Sequence, residues 1–472
     1  MYDIIIIGSG IIGSMLAYDL SRFKLSVCVL EKNVEIMNET SSANSGLIHP
    51  GYDPEDGTLK ALLNLRGAIR HPEIAKQLNV DYQQVGSLLV AKSVEEIITL
   101  NELEERAKKR NIACTHINQA QVRAMEPNIS DSILEAIYFP TTAIITPWQM
   151  GYACMNYAVS NGVELYRETR VIGIEKQEDY YSVLTNQKTF EAKIVINCSG
   201  LMGVDVARYH NPNTTHQIEF RKGEYQVSDI RDKNYLNHII YPTPNQFGKG
   251  VLALKTTEGN LMFGPTSHVI KDGYDFSTTK RGLEEVDEKI AQIIKPLPKN
   301  RMIRQFAGVR PTSLSKDFII ENLDGFINVI GIDSPGLASS PGISEYVINQ
   351  FISNGLPLVQ KDRLVDFKWR KHLTLDQRSE RIKEDARFGK IVCVCETISE
   401  KEIIDAIHLP VGAHSIKGVK RLVRPGSGRC QGGFCESEVV RLLAQELNIT
   451  MEEVKYDNES FLTPLGGSNE KL

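Results

Sequence analysis

Three kinds of hydrophobic pattern succeed one another along the chain. The first is an unbroken β-branched run at residues 4–7, all isoleucine, as expected of a strand buried on both faces. An amphipathic stretch at 11–23 and a second apolar strand at 26–30 follow it closely. Strand, helix and strand so spaced predict a parallel βαβ unit. Similar buried strands recur at 192–197 and 326–330, and the latter leads into a helix at about 340–351. The second pattern is strict alternation, at 218–227, 251–254 and 261–264, which predicts an antiparallel sheet with one covered face. A charged helical stretch at 94–111 reads as a solvated face. The third pattern begins after 355. Residues 355–390 carry many charges and few apolar positions, and read as a surface linker. Beyond them, 391–455 forms a compact unit with a helix at 402–407 capped by Ser399 or Thr397, a turn at 425–428 and a helix at 434–447.

These patterns predict an α/β architecture in pieces. A discontinuous Rossmann-like domain takes 1–83, 139–215 and 310–354, and an inserted α+β domain takes 84–138 and 216–309. The linker 355–390, the small helical domain 391–455 and a tail 456–472 complete the chain. Its 472 residues are enough for such a division. The net charge of −5 and the absence of a concentrated basic face argue against nucleic acid as a partner. No apolar run is long enough for a membrane span. The first strand starts at once and leaves no room for a signal peptide, so the expected location is the cytosol, with any membrane contact made through a partner.

Chemistry enters between the first strand and the first helix, at Gly8-Ser9-Gly10-Ile11-Ile12-Gly13. In a G-x-G-x-x-G turn the first glycine permits the tight bend. The second lets the backbone approach a pyrophosphate, and the third lets helix and strand pack closely. The helix N-terminus offers unpaired amides to phosphate. The second strand ends at Glu31, placed to accept ribose hydroxyls. The two later strands run into Ser199-Gly200 and Ser334-Pro335-Gly336-Leu337, which favours FAD over NAD. Small polar residues from Thr40 and Ser41 through Gly51 suit the edge of a flavin.

That stretch holds Asn44-Ser45-Gly46-Leu47-Ile48-His49-Pro50-Gly51. It resembles the Asn-Ser-Gly-x-x-His-x-Gly element of D-amino-acid-oxidase-like flavoproteins, and within them the glycerol-3-phosphate and L-2-hydroxyglutarate dehydrogenases. Residues 54–67 are similar to theirs as well. The flavin contact set expected on this basis is Gly8, Gly10, Ile11, Ile12, Gly13, Glu31, Lys32, Thr40, Ser41, Asn44, Ser45, Gly46, Leu47, Val171, Ser199, Gly200, Gly336 and Leu337. The resemblance also implies a catalytic histidine at His49 and an arginine at the flavin's substrate face at Arg310. His49 packing on the flavin and Arg310 in a structural ion pair are the plainer alternatives. Arg221, Lys222 and Tyr241 are candidates for binding an anionic substrate; Lys255, His268 and Tyr225 are weaker ones.

Near the C-terminus stand Cys393, Cys395, Cys430 and Cys435, spaced C-x-C-x34-C-x4-C. Four thiolates in two close pairs suit an iron–sulfur cluster, and a reducing compartment favours ligation over disulfides. The unit resembles bacterioferritin-associated-ferredoxin-like [2Fe–2S] domains. Those usually end in C-x2-C; the longer form is similar to the tail of anaerobic glycerol-3-phosphate dehydrogenase catalytic subunits. Zinc is the alternative ion, although C-x-C is tight for a structural zinc site.

Flavin and cluster together imply oxidation of sn-glycerol 3-phosphate to dihydroxyacetone phosphate, with electrons passed through the cluster to a partner such as a second flavoprotein or a quinone-linked subunit. Oxidation of L-2-hydroxyglutarate or another 2-hydroxy acid is one alternative. An electron-transfer subunit with no substrate of its own is another.

Overall fold

The computed structural model describes residues 1–244, 250–458 and 460–461. Residues 459 and 462–472 of the expected tail lie outside them. The isoleucine run sits at the centre of an eight-stranded sheet, within Tyr2–Ile7. That strand pairs in parallel with Val27–Leu30 on one side and Thr189–Asn197 on the other. Phe326–Ile330 continues the parallel order beyond Thr189–Asn197. Helices Ile11–Leu20, Leu59–Leu78, Pro147–Ser160 and Gly336–Val347 pack on one another against this sheet.

The last of these helices starts at Gly336, earlier than apolar spacing predicts. Its first turns are small residues, and small residues are what the packing needs. A Cβ on Gly67 of Leu59–Leu78 would lie 2.0 Å from the Ala338 carbonyl oxygen, and one on Gly342 would lie 2.4 Å from that of Leu63. Two backbones this close leave no room for the large apolar side chains that mark a helix in sequence.

The alternating segments form a nine-stranded, mainly antiparallel sheet that includes Ile218–Ser228, Leu252–Lys255 and Leu261–Gly264. One expected boundary moves. Met302–Ser313 is a single strand paired with Ile218–Ser228 from end to end, so the division at 309/310 cuts through it and Arg310 belongs to the second sheet. Gly308 and Pro311 are residues uncommon inside a strand. In the fold, Gly308 lets the strand approach the loop after Glu39: a Cβ there would lie 2.0 Å from the Ala43 carbonyl oxygen.

The stretch 355–390 is more than a solvated linker. Trp369 and Arg378 are buried. Arg378, on helix Leu375–Glu384, pairs with Glu402 at 2.7 Å and donates to the Thr397 carbonyl at 2.6 Å. In the C-terminal unit, Ser399 rather than Thr397 caps helix Glu400–Ile407, through a capping box with Glu402. Helices Ile416–Val423 and Glu436–Leu447 complete it.

This unit is fused to the first domain. Ile403, Val419 and Val439 share one apolar cluster with Ile4, Met15 and Met150. A fully buried carboxylate, Glu35, joins the two polar frameworks. It accepts hydrogen bonds from the Tyr152 hydroxyl (2.7 Å), the His414 amide (2.7 Å) and the Ser415 hydroxyl (2.9 Å). Arg167 stands 3.6 Å away as its counter-ion. Removing the carboxylate strips the largely covered Arg167 of its counter-ion and leaves the buried Tyr152 and Ser415 hydroxyls and the part-buried His414 amide without this acceptor, so Glu35→Ala should cost about 2–4 kcal/mol of unfolding free energy. Urea denaturation checks this, and a loss below ~1 kcal/mol would show that water replaces the carboxylate without penalty.

Candidate active site and cluster site

At the C-terminal ends of the parallel strands lies a crevice of about 1180 Å³, where dinucleotides bind in folds of this kind. Gly8, Gly10, Ile11, Ile12, Glu31, Lys32, Thr40, Ser41, Asn44, Ser45, Leu47, Val171, Ser199, Gly200, Gly336 and Leu337 all line it. Gly8 has φ +98°, and a Cβ on it would meet the Cys198 carbonyl oxygen at 2.6 Å. The helix it introduces starts at Ile11 with no side-chain cap at Gly10; the Ile11 amide donates to the Ser41 hydroxyl at 3.0 Å, and the following first-turn amides are left for a phosphate. Glu31 is held in place by Ser9, whose amide and hydroxyl donate to it at 2.9 and 2.6 Å. The flavin-edge loop is braced internally: Asn44 donates to the Ser41 carbonyl and accepts from the Gly46 amide. These features fit an FAD.

Two members of the expected contact set stand elsewhere. Gly13 packs the helix on the strand, where a Cβ would lie 2.0 Å from the Gly8 carbonyl oxygen. Gly46 faces a second cavity on the other side of the loop.

The same crevice takes in His49, Arg221, Tyr241 and Arg310. His49 is buried. Its Nδ1 accepts from the Gly51 amide at 3.1 Å, and Asn64 holds its carbonyl at 2.8 Å. Its ring packs on Tyr52 at 4.5 Å and edge-on to Tyr241 at 5.9 Å. The Tyr241 residue is 3% exposed, and its hydroxyl has no hydrogen-bond partner among the described residues. Burial pushes its pKa up, so the hydroxyl keeps its proton and remains a donor. Arg310 donates to the Thr266 carbonyl at 3.0 Å and has no ion pair among the described residues. Directly across the strand pair stands Arg221, which pairs with Glu219 at 2.7 Å.

Lys222 does not join them. Neighbouring residues of a strand point to opposite faces, and Lys222 is buried on the other one, 2.7 Å from Asp275. Of the weaker candidates, His268 is 2.7 Å from Glu285 at the crevice wall. Lys255 lines the second cavity. The structure adds a pair that the motifs did not single out: Lys60 and Asp333, 2.6 Å apart on the crevice wall. Lys60 lies within the family-like stretch and Asp333 within the turn before Gly336, but nothing in sequence joins them.

The four C-terminal cysteines converge across the sequence pairs rather than within them. Cys395 and Cys430 have their sulfurs 3.7 Å apart. Cys393 is pulled down to about 6, first by a hydrogen bond from Cys435. Two sulfurs on one tetrahedral metal, each about 2.3 Å from it, stand roughly 3.7 Å apart. Two such couples suit two irons with two thiolates each. Among the described residues no three His, Cys, Asp or Glu side chains converge on a single ion.

Comparison with known proteins agrees with this geometry. Residues 3–350 match the FAD dependent oxidoreductase family. The chain belongs to that family. Residues 391–445 of the oxidoreductase match the BFD-like [2Fe–2S] binding domain, so its cofactors are FAD and a [2Fe–2S] cluster. Its relatives include the glycerol 3-phosphate dehydrogenase of Caloramator mitchellensis, 40% identical over 97% of each chain. The L-2-hydroxyglutarate dehydrogenase of Escherichia coli K12 is 30% identical, over 59% of this chain and 68% of that one. Among solved structures, the FAD-bound L-α-glycerophosphate oxidase of Mycoplasma pneumoniae superimposes with a TM-score of 0.75 at 27% identity, covering 79% of this chain and 99% of that one. No helix among the described residues of the oxidoreductase is long and apolar enough to cross a membrane.

Proposed function

We propose that the enzyme oxidises sn-glycerol 3-phosphate at C2 to dihydroxyacetone phosphate and hands the electrons to a partner protein. The observation that carries this reading is Arg310, a cation without a carboxylate partner among the described residues, on the wall of the flavin crevice. Its guanidinium suits a phosphate, and Arg221 opposite, already paired with Glu219, adds further N–H donors. Glu219 offsets the charge of Arg221, which leaves that of Arg310 for a bound anion. Tyr241 donates its otherwise unsatisfied hydroxyl to the substrate. His49 takes the C2 hydroxyl proton at Nε2. The Gly51 amide on Nδ1 holds the ring as the Nε2–H tautomer, so the ring hydrogen must shift to Nδ1 and the Gly51 contact open before Nε2 can accept the proton. When bound, FAD supplies the two-electron acceptor and the cluster a one-electron outlet. Support for an outlet comes from the cluster rim, where Cys395 is exposed and the flanking Val394 and Phe434 are 80% and 87% exposed. The match to the C. mitchellensis relative covers 97% of the chain and so both units, whereas the match to the hydroxyglutarate relative covers 59% of it.

Anaerobic titration tests the substrate. Glycerol 3-phosphate should bleach the flavin, and L-2-hydroxyglutarate should leave it yellow. Bleaching by the hydroxy acid alone, or by neither, overturns the assignment. Arg310→Ala should lower kcat/KM for glycerol 3-phosphate by about 30- to 1000-fold, the result of removing one partner of a buried charged contact. Arg310→Lys should recover only part of it.

A further inference from the structure

A second cavity, of about 940 Å³, lies behind the flavin-edge loop, between the two sheet domains and the cluster domain. Seven residues line both cavities: Lys32, Asn33, Asn38, Glu39, Asn44, Ser45 and Arg170. Elsewhere an aromatic stack divides them. Tyr225 lines the flavin crevice and Phe306 lines the second cavity, with ring centroids 4.6 Å apart and planes 7° from parallel.

Its charges do not balance. The four carboxylates on its wall are all taken: Glu39 by Lys32, Glu168 by Lys455, Glu258 by Arg424 and Asp457 by Lys417. Five further cations on the wall, Arg170, Lys255, Arg304, Lys420 and Arg421, have no ion pair among the described residues, and the last three lie together. Lys420 donates to the Gly426 carbonyl at 2.6 Å. Arg421 donates one nitrogen to Asn38 at 2.6 Å, while its buried Nη1 has no partner. Arg304 reaches only Gln431, at 3.4 Å. Burial first, and the charge of Arg304 next, pull the Lys420 amine down to about 7. Partly desolvated like charges without a counter-ion are unfavourable, and a polyanion in the cavity would relieve that cost. Arg304 and Phe306 are two residues apart on one strand and so share a face. Phe306, Trp148 and Phe276 add aromatic surface to the same cavity. Its volume is in the range of small-molecule sites.

We propose that this cavity is a second ligand site for a mononucleotide-class molecule, with its phosphates against Arg304, Lys420 and Arg421 and its ring against the aromatic wall. The site is separate from the dinucleotide crevice and independent of the substrate assigned above.

The test is calorimetric titration of the holoenzyme, with FAD already bound so that its own adenine site is filled. ADP should bind at one site per chain with Kd tighter than about 1 mM. Adenosine, which lacks the phosphates, and pyrophosphate, which lacks the ring, should each bind at least tenfold more weakly. The double variant Arg304→Ala/Lys420→Ala should weaken ADP at least tenfold while flavin absorbance is unchanged. Arg421→Gln, a milder change of shape, should weaken it at least threefold and serves if the double variant does not fold. Any of four results overturns the proposal: no saturable ADP binding, undiminished affinity in Arg421→Gln, pyrophosphate as tight as ADP, or ADP uptake matched by flavin release.

Discussion

His49→Ala will slow reduction of the bound flavin by glycerol 3-phosphate by about 10²- to 10⁴-fold, the range for loss of a positioned general base. Stopped-flow absorbance under anaerobic conditions measures it. The ring is fixed by Asn64 on the backbone and by Tyr52 and Tyr241 against its faces and edge, while the Gly51 contact on Nδ1 must open for Nε2 to act. Such fixation serves proton transfer because the acceptor nitrogen must meet the hydroxyl within hydrogen-bond reach. It would equally suit a histidine that only packs against the flavin, and the pH profile separates the two. As a base, His49 loses its lone pair when protonated, so the wild-type reduction rate should fall toward acid pH and the variant's should lose that limb. A packing role predicts a variant with the same limb and a rate within about fivefold of wild type. Substrate affinity should change little, since Arg310 and Arg221 are left in place.

What sequence could reveal here follows from how local each feature is. The βαβ unit was legible because all its parts fall within thirty-one residues, and each has a distinct physical reason. The isoleucines bury both faces of one strand, and Gly13 is required by a backbone contact. The phase of the substrate sheet was less legible. Arg221 and Lys222 are adjacent cations, and alternation places one on each face without saying which. The structure turns Arg221 to the crevice and Lys222 to Asp275. Arg310 was recognisable as a candidate, but its strand was not, since Gly308 and Pro311 are uncommon inside a strand and the Ala43 backbone that calls for Gly308 is distant in sequence. In the stretch 355–390, Arg378 looked solvated because its partner, Glu402, belongs to the next unit. The second cavity was invisible for the same reason at larger scale. Arg304, Lys420 and Arg421 come from two distant segments, and their lack of ion pairs among the described residues is a property of the folded chain alone.

Replacing one cluster ligand should separate the two halves of the reaction. Cys395→Ser is expected to remove the iron while leaving flavin content, and the rate of bleaching by glycerol 3-phosphate, within about threefold of wild type. The sulfurs of Cys395 and Cys430 stand 3.7 Å apart, the spacing of two ligands on one tetrahedral iron, so the substitution takes half of one iron's protein ligands. Fold loss is not expected to follow, because the helices Glu400–Ile407, Ile416–Val423 and Glu436–Leu447 bury their apolar faces in the core shared with the first domain. Cys395 itself is exposed. Reductive titration gives the sharpest reading. The wild type should take up about three electron equivalents per chain, two at the flavin and one at the cluster, and the variant about two. Turnover with a one-electron acceptor too large to reach the flavin crevice should fall by at least tenfold. Unchanged turnover with such an acceptor would mean that electrons leave from the flavin directly. In that case the exposed rim at Val394 and Phe434 would have no part in their exit.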